Sequence, residues 1–261
     1  MWTYHNSHIH SIFLLNTVAS AAFYERIDLS AHGFFTVDNS RCGYDWNAEK
    51  PLDFDERKPC NSWRGQPFNY FTQGVAYSEV EIDVLTGNHR TLRSEILVDV
   101  GSSINPALDI GQIEGAFIQG MGWCTVEEMI YGDKHHSWIR PKGRTFTTGP
   151  GTYKIPAFND VPEIFNVSLM ENVDNPFAVH SSKAIGEPPF FLGCSVFFAL
   201  KDAIVAARKE NGFEGNFELR MPATSERIRM SCLDSFAKES IESIGLKEGS
   251  TLEQFQTKGS H

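Results

Sequence analysis

Glu187 is the side chain in this sequence best placed for acid–base chemistry. It stands between Gly186 and the pair Pro188-Pro189, directly ahead of a long apolar stretch. Two consecutive prolines fit the first turn of a helix, where their missing N–H groups cost nothing. The carboxylate is therefore expected at a helix N-terminus, either as an acidic residue that stabilises the helix dipole or as a base whose direction the prolines fix. Residue types and spacing alone leave both interpretations open.

A second segment, between Asn105 and Tyr131, combines a helical repeat of apolar residues with an unusual number of glycines. Those glycines are Gly111, Gly115, Gly120 and Gly122. Each costs an ordinary helix about 1 kcal/mol, so either another helix or a ligand is expected to approach this backbone closely. Gln112 and Gln119 offer amide groups that a buried pterin or pyrophosphate would use. The spacing matches neither the dinucleotide-binding nor the P-loop pattern.

Other chemistries are poorly supported by the sequence. His135 and His136 are adjacent, so both cannot easily face one metal ion, and Ser181-Ser182 lacks a nucleophile-elbow context. The five cysteines form no C-x-x-C pair and are interpreted as reduced thiols, so no metal site is expected from this chain. A formal charge of −10 argues against a protein that tracks nucleic-acid phosphates.

The elements that must position these residues follow from periodicity. Alternation over residues 70–100, with turn residues at 86–89, predicts a long β-hairpin whose second strand buries Leu92, Ile96, Val98 and Val100. Residues 164–170 alternate again and predict a further strand. A helix is expected from Phe190 to about Glu210. Together these elements predict an α+β fold of mixed strands and helices.

The two ends of the chain and one internal stretch differ from this pattern. A final helix is expected after Thr224, its candidate N-cap, with Ile228, Leu233 and Phe236 on the buried face. Residues 36–66 have no clear period and predict a long loop. Ile12–Phe23 imitates a signal peptide but has no preceding Lys or Arg, and it is too short to span a bilayer. It is therefore interpreted as a core helix or part of a leader.

Several long motifs then point to a family. Residues 181–204 (SSKAIGEPPFFLGCSVFFALKDAI) resemble the active-site glutamate segment of the xanthine dehydrogenase family of molybdenum hydroxylases. Residues 96–122 (ILVDVGSSINPALDIGQIEGAFIQGMG) resemble the segment of that family that packs on molybdopterin. Three more motifs follow the family's order: PFNYFTQGVAYSEVEIDVLTG (67–87), GPGTYKIPAF (149–158) and PATSERIRMSC (222–232). The implied fold is the C-terminal part of a molybdopterin-binding domain over residues 23–240, after a leader at 1–22 and before a polar tail at 241–261.

The resemblance also implies roles for individual residues. Glu187 matches the family's catalytic base, which takes the proton from a molybdenum-bound hydroxyl during hydroxylation of purines (hypoxanthine and xanthine to urate). Gln112 matches a glutamine that hydrogen-bonds the molybdopterin. Gly186, the residue before Glu187, is the second residue predicted to bind the cofactor. The implied cofactor is molybdenum-molybdopterin. FAD and 2Fe–2S clusters are expected only in domains upstream of this chain, and NAD is expected as the acceptor of the full enzyme.

Alternatives remain within and outside this family. Aldehyde oxidases, the sister group, typically carry G-E-S where this chain has Gly186 to Pro189, so the double proline favours the xanthine dehydrogenase type. A non-catalytic fragment is the alternative of a different class, and the chain alone is expected to be inactive. The family implies a small purine substrate, a homodimer, no nucleic-acid or membrane partner, and a cytoplasmic location with a peroxisomal one as the alternative.

Overall fold

The computed structural model describes residues 16–30, 32–34 and 68–243, and the backbone alone at 43–44 and 65–66. The chain divides into two compact units, Met1–Asn69 and Tyr70–His261. In the first, residues 16–25 form helix α1, which is exposed apart from Ala22, and β1 (Gly43–Tyr44) pairs antiparallel with β2 (Gly65–Gln66). The loop predicted at 36–66 and the polar tail lie almost wholly outside the described residues. The domain boundaries proposed after residues 22 and 240 stay predictions.

The second unit is built on a mixed three-stranded sheet. Strand β3 (Gly74–Ile82) pairs antiparallel with β4 (His89–Val98), and β4 pairs in parallel with β5 (Ile164–Leu169). In the tight turn between β3 and β4, Asp83 accepts a hydrogen bond of 2.9 Å from the Leu85 amide. The predicted hairpin and the predicted third strand are both confirmed.

A β-bulge changes which side chains of β4 face the core. Glu79 lies opposite Arg93, whereas its neighbour Val80 lies opposite Thr91, so Leu92 is an extra residue in β4. One extra residue reverses the two-residue alternation along a strand. Thr91 is consequently buried at 3% exposure, and Leu92, predicted to be buried, is only half-buried.

Three helices pack around this sheet. Helix α2 (Pro106–Thr125) begins at its N-cap Asn105, whose side chain accepts hydrogen bonds from two backbone amides of the first turn. Helix α3 (Cys194–Glu210) ends near Gly212, where φ is +80°. Helix α4 (Ser225–Ser231) begins at Thr224, which caps the Arg227 amide as predicted. Side chains of the sheet and of the three helices share one core, which contains Ile96, Val98, Val100, Ile113, Phe117, Met121, Val196, Leu200, Ile204 and Ile228.

Two predictions about helices need correction. Residues Pro188–Gly193 form a 3₁₀ helix, so the α-helix begins at Cys194 and not at Phe190. Pro188 and Pro189 have no N–H donors, so the first hydrogen bond of this turn runs from the Phe190 amide to the Glu187 carbonyl, three residues back. The last predicted helix is broken at Leu233, which has a φ of +49° and is half-buried, and restarts as α5 (Ser235–Ser243).

This break also changes the buried face of the last helix. Phe236 was predicted to be buried but is 65% exposed, and Ala237 is buried in its place. Pro188–Glu210, which spans the 3₁₀ helix and α3, is long and apolar enough to cross a membrane by length and composition alone. Helix α3 also supplies core residues of this unit, among them Val196, Leu200 and Ile204.

Candidate active site

Backbone hydrogen bonds join the segment before Glu187 to the end of β4. The Ser102 amide donates to the Ser181 carbonyl at 2.8 Å, and the Lys183 amide donates to the Val100 carbonyl at 2.9 Å. Between them lies Gly101, with a φ of +64°, and a Cβ atom built there would overlap the Ser181 carbonyl oxygen. Only glycine allows this close approach. Two segments some 80 residues apart in the sequence are thereby held side by side.

Side-chain contacts also hold the segment before Glu187 in place. The Lys183 ammonium contacts the Asp99 carboxylate and donates to the Phe71 carbonyl at 2.8 Å, and the side chains of Lys183 and Asp99 are only 10% and 8% exposed. The Tyr70 hydroxyl accepts a hydrogen bond of 2.9 Å from the Ala184 amide. The amide of buried Asn175 donates to the Ser182 carbonyl at 2.9 Å.

Glu187 itself stands exposed at the start of the 3₁₀ helix. Its backbone is in the helical region, with φ −107° and ψ −33°, and its side chain makes no capping hydrogen bond. A carboxylate that capped the helix would spend an oxygen on the backbone amides of the first turn. Pro188 and Pro189 occupy the first two helical positions as predicted, with Pro189 buried. The backbone of Glu187 is therefore fixed in position, and its carboxylate group is exposed to a ligand.

Gln112 and Gly186 meet at this surface. A Cβ atom built on Gly186 would lie 3.4 Å from Oε1 of Gln112, and both residues are exposed. Gly186 is the immediate neighbour of Glu187. Gln112 of α2 therefore lies beside the backbone of the segment that carries Glu187, and all three residues predicted from the sequence are exposed.

The glycines of α2 separate into two groups. A Cβ atom built on Gly120 would overlap the Phe190 carbonyl oxygen, and one built on Gly193 would overlap the Met121 amide nitrogen, so α2 and the 3₁₀ helix touch through their backbones. Cβ atoms built on Gly111 or Gly115 would meet nothing within 4 Å. Helix packing, one of the two contacts expected from the sequence, therefore occurs at the C-terminal half of α2, and the approach of a ligand at Gly111 and Gly115 stays a prediction.

These features fit a flat, polar ligand of the molybdopterin kind. Gln112 and Gln119 are exposed on α2, and each carries an amide that both donates and accepts hydrogen bonds. The bare backbone at Gly111 and Gly115 leaves room for a ring system to lie against the helix. No group of three or more metal-ligating side chains is found in the part of the chain that the structure describes.

The histidine pair lies in a local turn around Asp133. Nδ1 of His136 lies 2.9 Å from the Asp133 carboxylate, and hydrogen bonds from the two histidine amides lower the pKa of that carboxyl. Asp133 and His135 are exposed, as expected for a solvated loop. The pair is therefore part of a local turn.

Comparison with known proteins places the chain in a family. The family model described as the molybdopterin cofactor-binding domain matches residues 5–162, which is more than half of the chain. The chain belongs to this family. Its mixed sheet and surrounding helices agree with the α+β domain predicted from the sequence.

Individual relatives define the kind of molybdenum protein more closely. The chain is 55% identical over 219 residues to xanthine dehydrogenase of Oryza sativa subsp. japonica and 53% identical over 219 residues to xanthine dehydrogenase of Dictyostelium discoideum. Each match covers 84% of this chain and 15% of the relative, so the chain spans about 15% of the length of these proteins. A reconstituted CO dehydrogenase from Oligotropha carboxidovorans shares the fold, with a TM-score of 0.51 and 19% identity over 70% of this chain and 20% of its own.

Proposed function

We propose that this chain is the base-bearing part of a xanthine dehydrogenase-type molybdenum enzyme that hydroxylates purines, converting hypoxanthine and xanthine to urate. The observation that carries the proposal is the close approach of exposed Gln112 to Gly186, the immediate neighbour of exposed Glu187. An exposed carboxylate on a rigid segment is what a general base needs, and an amide beside it supplies a cofactor contact. The identity of 55% to a xanthine dehydrogenase supports the substrate class.

The residues of this chain have separate tasks in that reaction. A carboxylate oxygen of Glu187 accepts the proton of the hydroxyl group whose oxygen attacks an electron-poor purine carbon. Gln112 hydrogen-bonds the pterin, and Gly186 leaves space between that amide and the carboxylate. The molybdenum cofactor, when bound, supplies the activated oxygen and takes up the two electrons. Clusters, FAD and NAD would pass those electrons on in other parts of a longer polypeptide.

The exposure of the site fits a surface that is completed by further protein. Ligand sites usually bury most of their ligand, whereas all three predicted residues are exposed here. The cleft between β3 and α3, which is lined by Tyr77, Glu79 and Phe198, contains none of the three. We propose that parts of the longer polypeptide cover this face and supply the remaining cofactor and substrate contacts.

The test is Glu187→Gln in the full-length protein expressed from the native transcript. Removing a general base should lower kcat for urate formation by about a hundred- to ten-thousand-fold while molybdenum content stays at the wild-type level. Glu210→Gln is the matched control, since Glu210 is an exposed glutamate at the far end of α3. A Glu187→Gln enzyme that keeps the wild-type rate would contradict the base assignment.

The same preparation separates the alternatives. Faster turnover of aromatic aldehydes than of purines would favour an aldehyde oxidase-type hydroxylase. A native protein that carries neither molybdenum nor pterin would favour a non-catalytic fragment. Wild-type protein with both components and purine turnover supports the proposal.

A further inference from the structure

The buried contact between Lys183 and Asp99 is an unexpected way to hold a surface segment. Burying an ion pair costs desolvation that an apolar pair of similar size avoids, so stability alone does not require it. An ammonium group, however, has three donors of defined direction. Lys183 uses them to tie its own segment to Asp99 at the end of β4 and to the carbonyl of Phe71 ahead of β3. Asp99 in turn accepts a hydrogen bond of 2.8 Å from the Gly101 amide.

A second contact fixes the next residue toward Glu187. The Ala184 amide donates to the Tyr70 hydroxyl, and Ile185 packs against the hydrophobic core. Beyond Glu187, the Phe190 amide bonds back to the Glu187 carbonyl. The backbone is therefore held on both sides of the Gly186–Glu187 peptide, and Gly186 is the position with the greatest freedom between the two anchors.

We propose that Lys183, Asp99 and Tyr70 are positioning residues for Glu187, acting through the backbone of residues 183–186. This inference rests on the proposed function, because it assigns the three side chains to the placement of the base. None of them needs to contact substrate. Misplacing a reacting group by about 1 Å can cost roughly a hundred-fold in rate, so an anchor four residues from the carboxylate has a measurable effect.

The test compares three variants of the full-length protein. Lys183→Met with Asp99→Leu removes both charges together and leaves no unpaired buried ion. The Gly101 amide and the Phe71 carbonyl lose their side-chain partners, so the thermal unfolding midpoint is measured to check that the fold is retained. Tyr70→Phe removes one hydroxyl, and Lys183→Arg keeps the charge. For each we would measure kcat and KM for xanthine, molybdenum content, and amide hydrogen exchange in a peptide that covers residues 184–187.

The double variant is expected to lose roughly a hundred-fold in kcat, with KM and molybdenum content unchanged and with faster exchange at residues 184–187. Tyr70→Phe should show the same pattern more weakly, and Lys183→Arg should restore most of the rate. Wild-type kcat and unchanged exchange in the double variant would overturn the proposal. So would a loss of molybdenum in parallel with activity, because the pair would then serve the cofactor or the general fold.

Glu187→Gln is run beside these variants to keep the two proposals apart. If Glu187→Gln retains activity, the proposed function fails, and the exchange measurement alone then decides whether these residues hold the segment. If Glu187→Gln is inactive but the double variant is not, the base assignment stands and the positioning proposal fails.

Discussion

The two halves of helix α2 are made from the same kinds of residue but have opposite surroundings. At the C-terminal half, Gly120 faces the Phe190 carbonyl so closely that no side chain fits between them. At the N-terminal half, Gly111 and Gly115 face open space, beside the exposed side chain of Gln112. We call the C-terminal half closed, because protein atoms cover the backbone at Gly120, and the N-terminal half open, because none cover it at Gly111 and Gly115.

This difference shows how the site is divided between support and binding. The closed half seats the 3₁₀ helix against α2, and that helix begins at Glu187. The open half presents bare backbone and an amide to a ligand. A glycine that costs helix stability is explained at the closed half by packing, whereas no described residue packs on the glycines of the open half. Each half therefore makes its own predictions.

Gly120→Ala should have the largest effect on stability. The new methyl group would overlap a backbone carbonyl that cannot rotate away, and such overpacking typically costs about 1–3 kcal/mol or more, here expected near 3 kcal/mol. Thermal unfolding of the two proteins measures the difference. Gly115→Ala makes the same chemical change in the same helix and is the control. Equal midpoints for Gly120→Ala and wild type would mean that the two helices do not touch through their backbones.

Gln112→Leu tests the open half. Loss of one hydrogen bond to the pterin should weaken cofactor retention by about ten-fold, which corresponds to about 1.4 kcal/mol, without lowering the unfolding midpoint of cofactor-free protein. Molybdenum content after dialysis gives the measurement. Glu210→Leu is the control, because Glu210 is exposed at the far end of α3 and belongs to none of the proposed cofactor contacts. An equal loss of molybdenum in both variants would remove the special role of Gln112.

Gly111→Ala should separate stability from binding. Alanine favours a helix by about 0.5–1 kcal/mol over glycine, and a Cβ atom at this position meets nothing within 4 Å, so cofactor-free protein should become more stable by that amount. The same methyl group should hinder a ligand that lies against the backbone, lowering molybdenum content. A variant that gains stability and keeps all its molybdenum would show that the ligand does not reach Gly111.

Much of the fold could be predicted because periodicity and caps are local properties. The hairpin, the third strand and the body of α3 follow from spacing, and Thr224 and Asn105 lie where their side chains can cap. The errors arose where tertiary contacts override the local pattern. The bulge that leaves Leu92 only half-buried, the 3₁₀ turn after Glu187 and the break at Leu233 each depend on backbone geometry that residue spacing does not encode.

The candidate site was predictable residue by residue but not as an arrangement. Glu187 and Gln112 were singled out by their motifs, and nothing local indicated that their segments touch. Lys183 and Asp99 were missed as a pair, and only Lys183 gave a faint signal. Lys183 is a lone charge among small and apolar residues, whereas Asp99 fits the polar position of the alternation between Val98 and Val100, which predicts an exposed side chain. A charged residue in the setting of Lys183 requires a partner, and only the fold identifies which one.

Replacement of Cys124, which belongs to the closed half of α2, is expected to have the smallest effect on stability near neutral pH. Its thiol is fully buried and lies 3.6 Å from that of Cys194. Burial, followed by this hydrogen-bonded contact, raises its pKa from an ordinary 9.0 to about 12. Below pH 9 the thiol keeps its proton in both the folded and the unfolded chain, so it has no effect on pH dependence. Between 9.0 and about 12 only the unfolded chain releases the proton, so the stability of the fold falls as pH rises through that window.

Cys124→Ala should therefore reduce the loss of unfolding midpoint between about pH 8 and about pH 11. Cys232, whose pKa is also raised mainly by burial, remains in this variant and accounts for a residual slope. Alkylation kinetics give an independent reading, since a shift from 9.0 to about 12 lowers the thiolate fraction at pH 8 roughly a thousand-fold. If Cys124 in folded protein reacts as fast as it does in denaturant, water reaches the closed half of α2. The two halves of α2 would then differ in how closely other backbone atoms approach them, but not in their access to solvent.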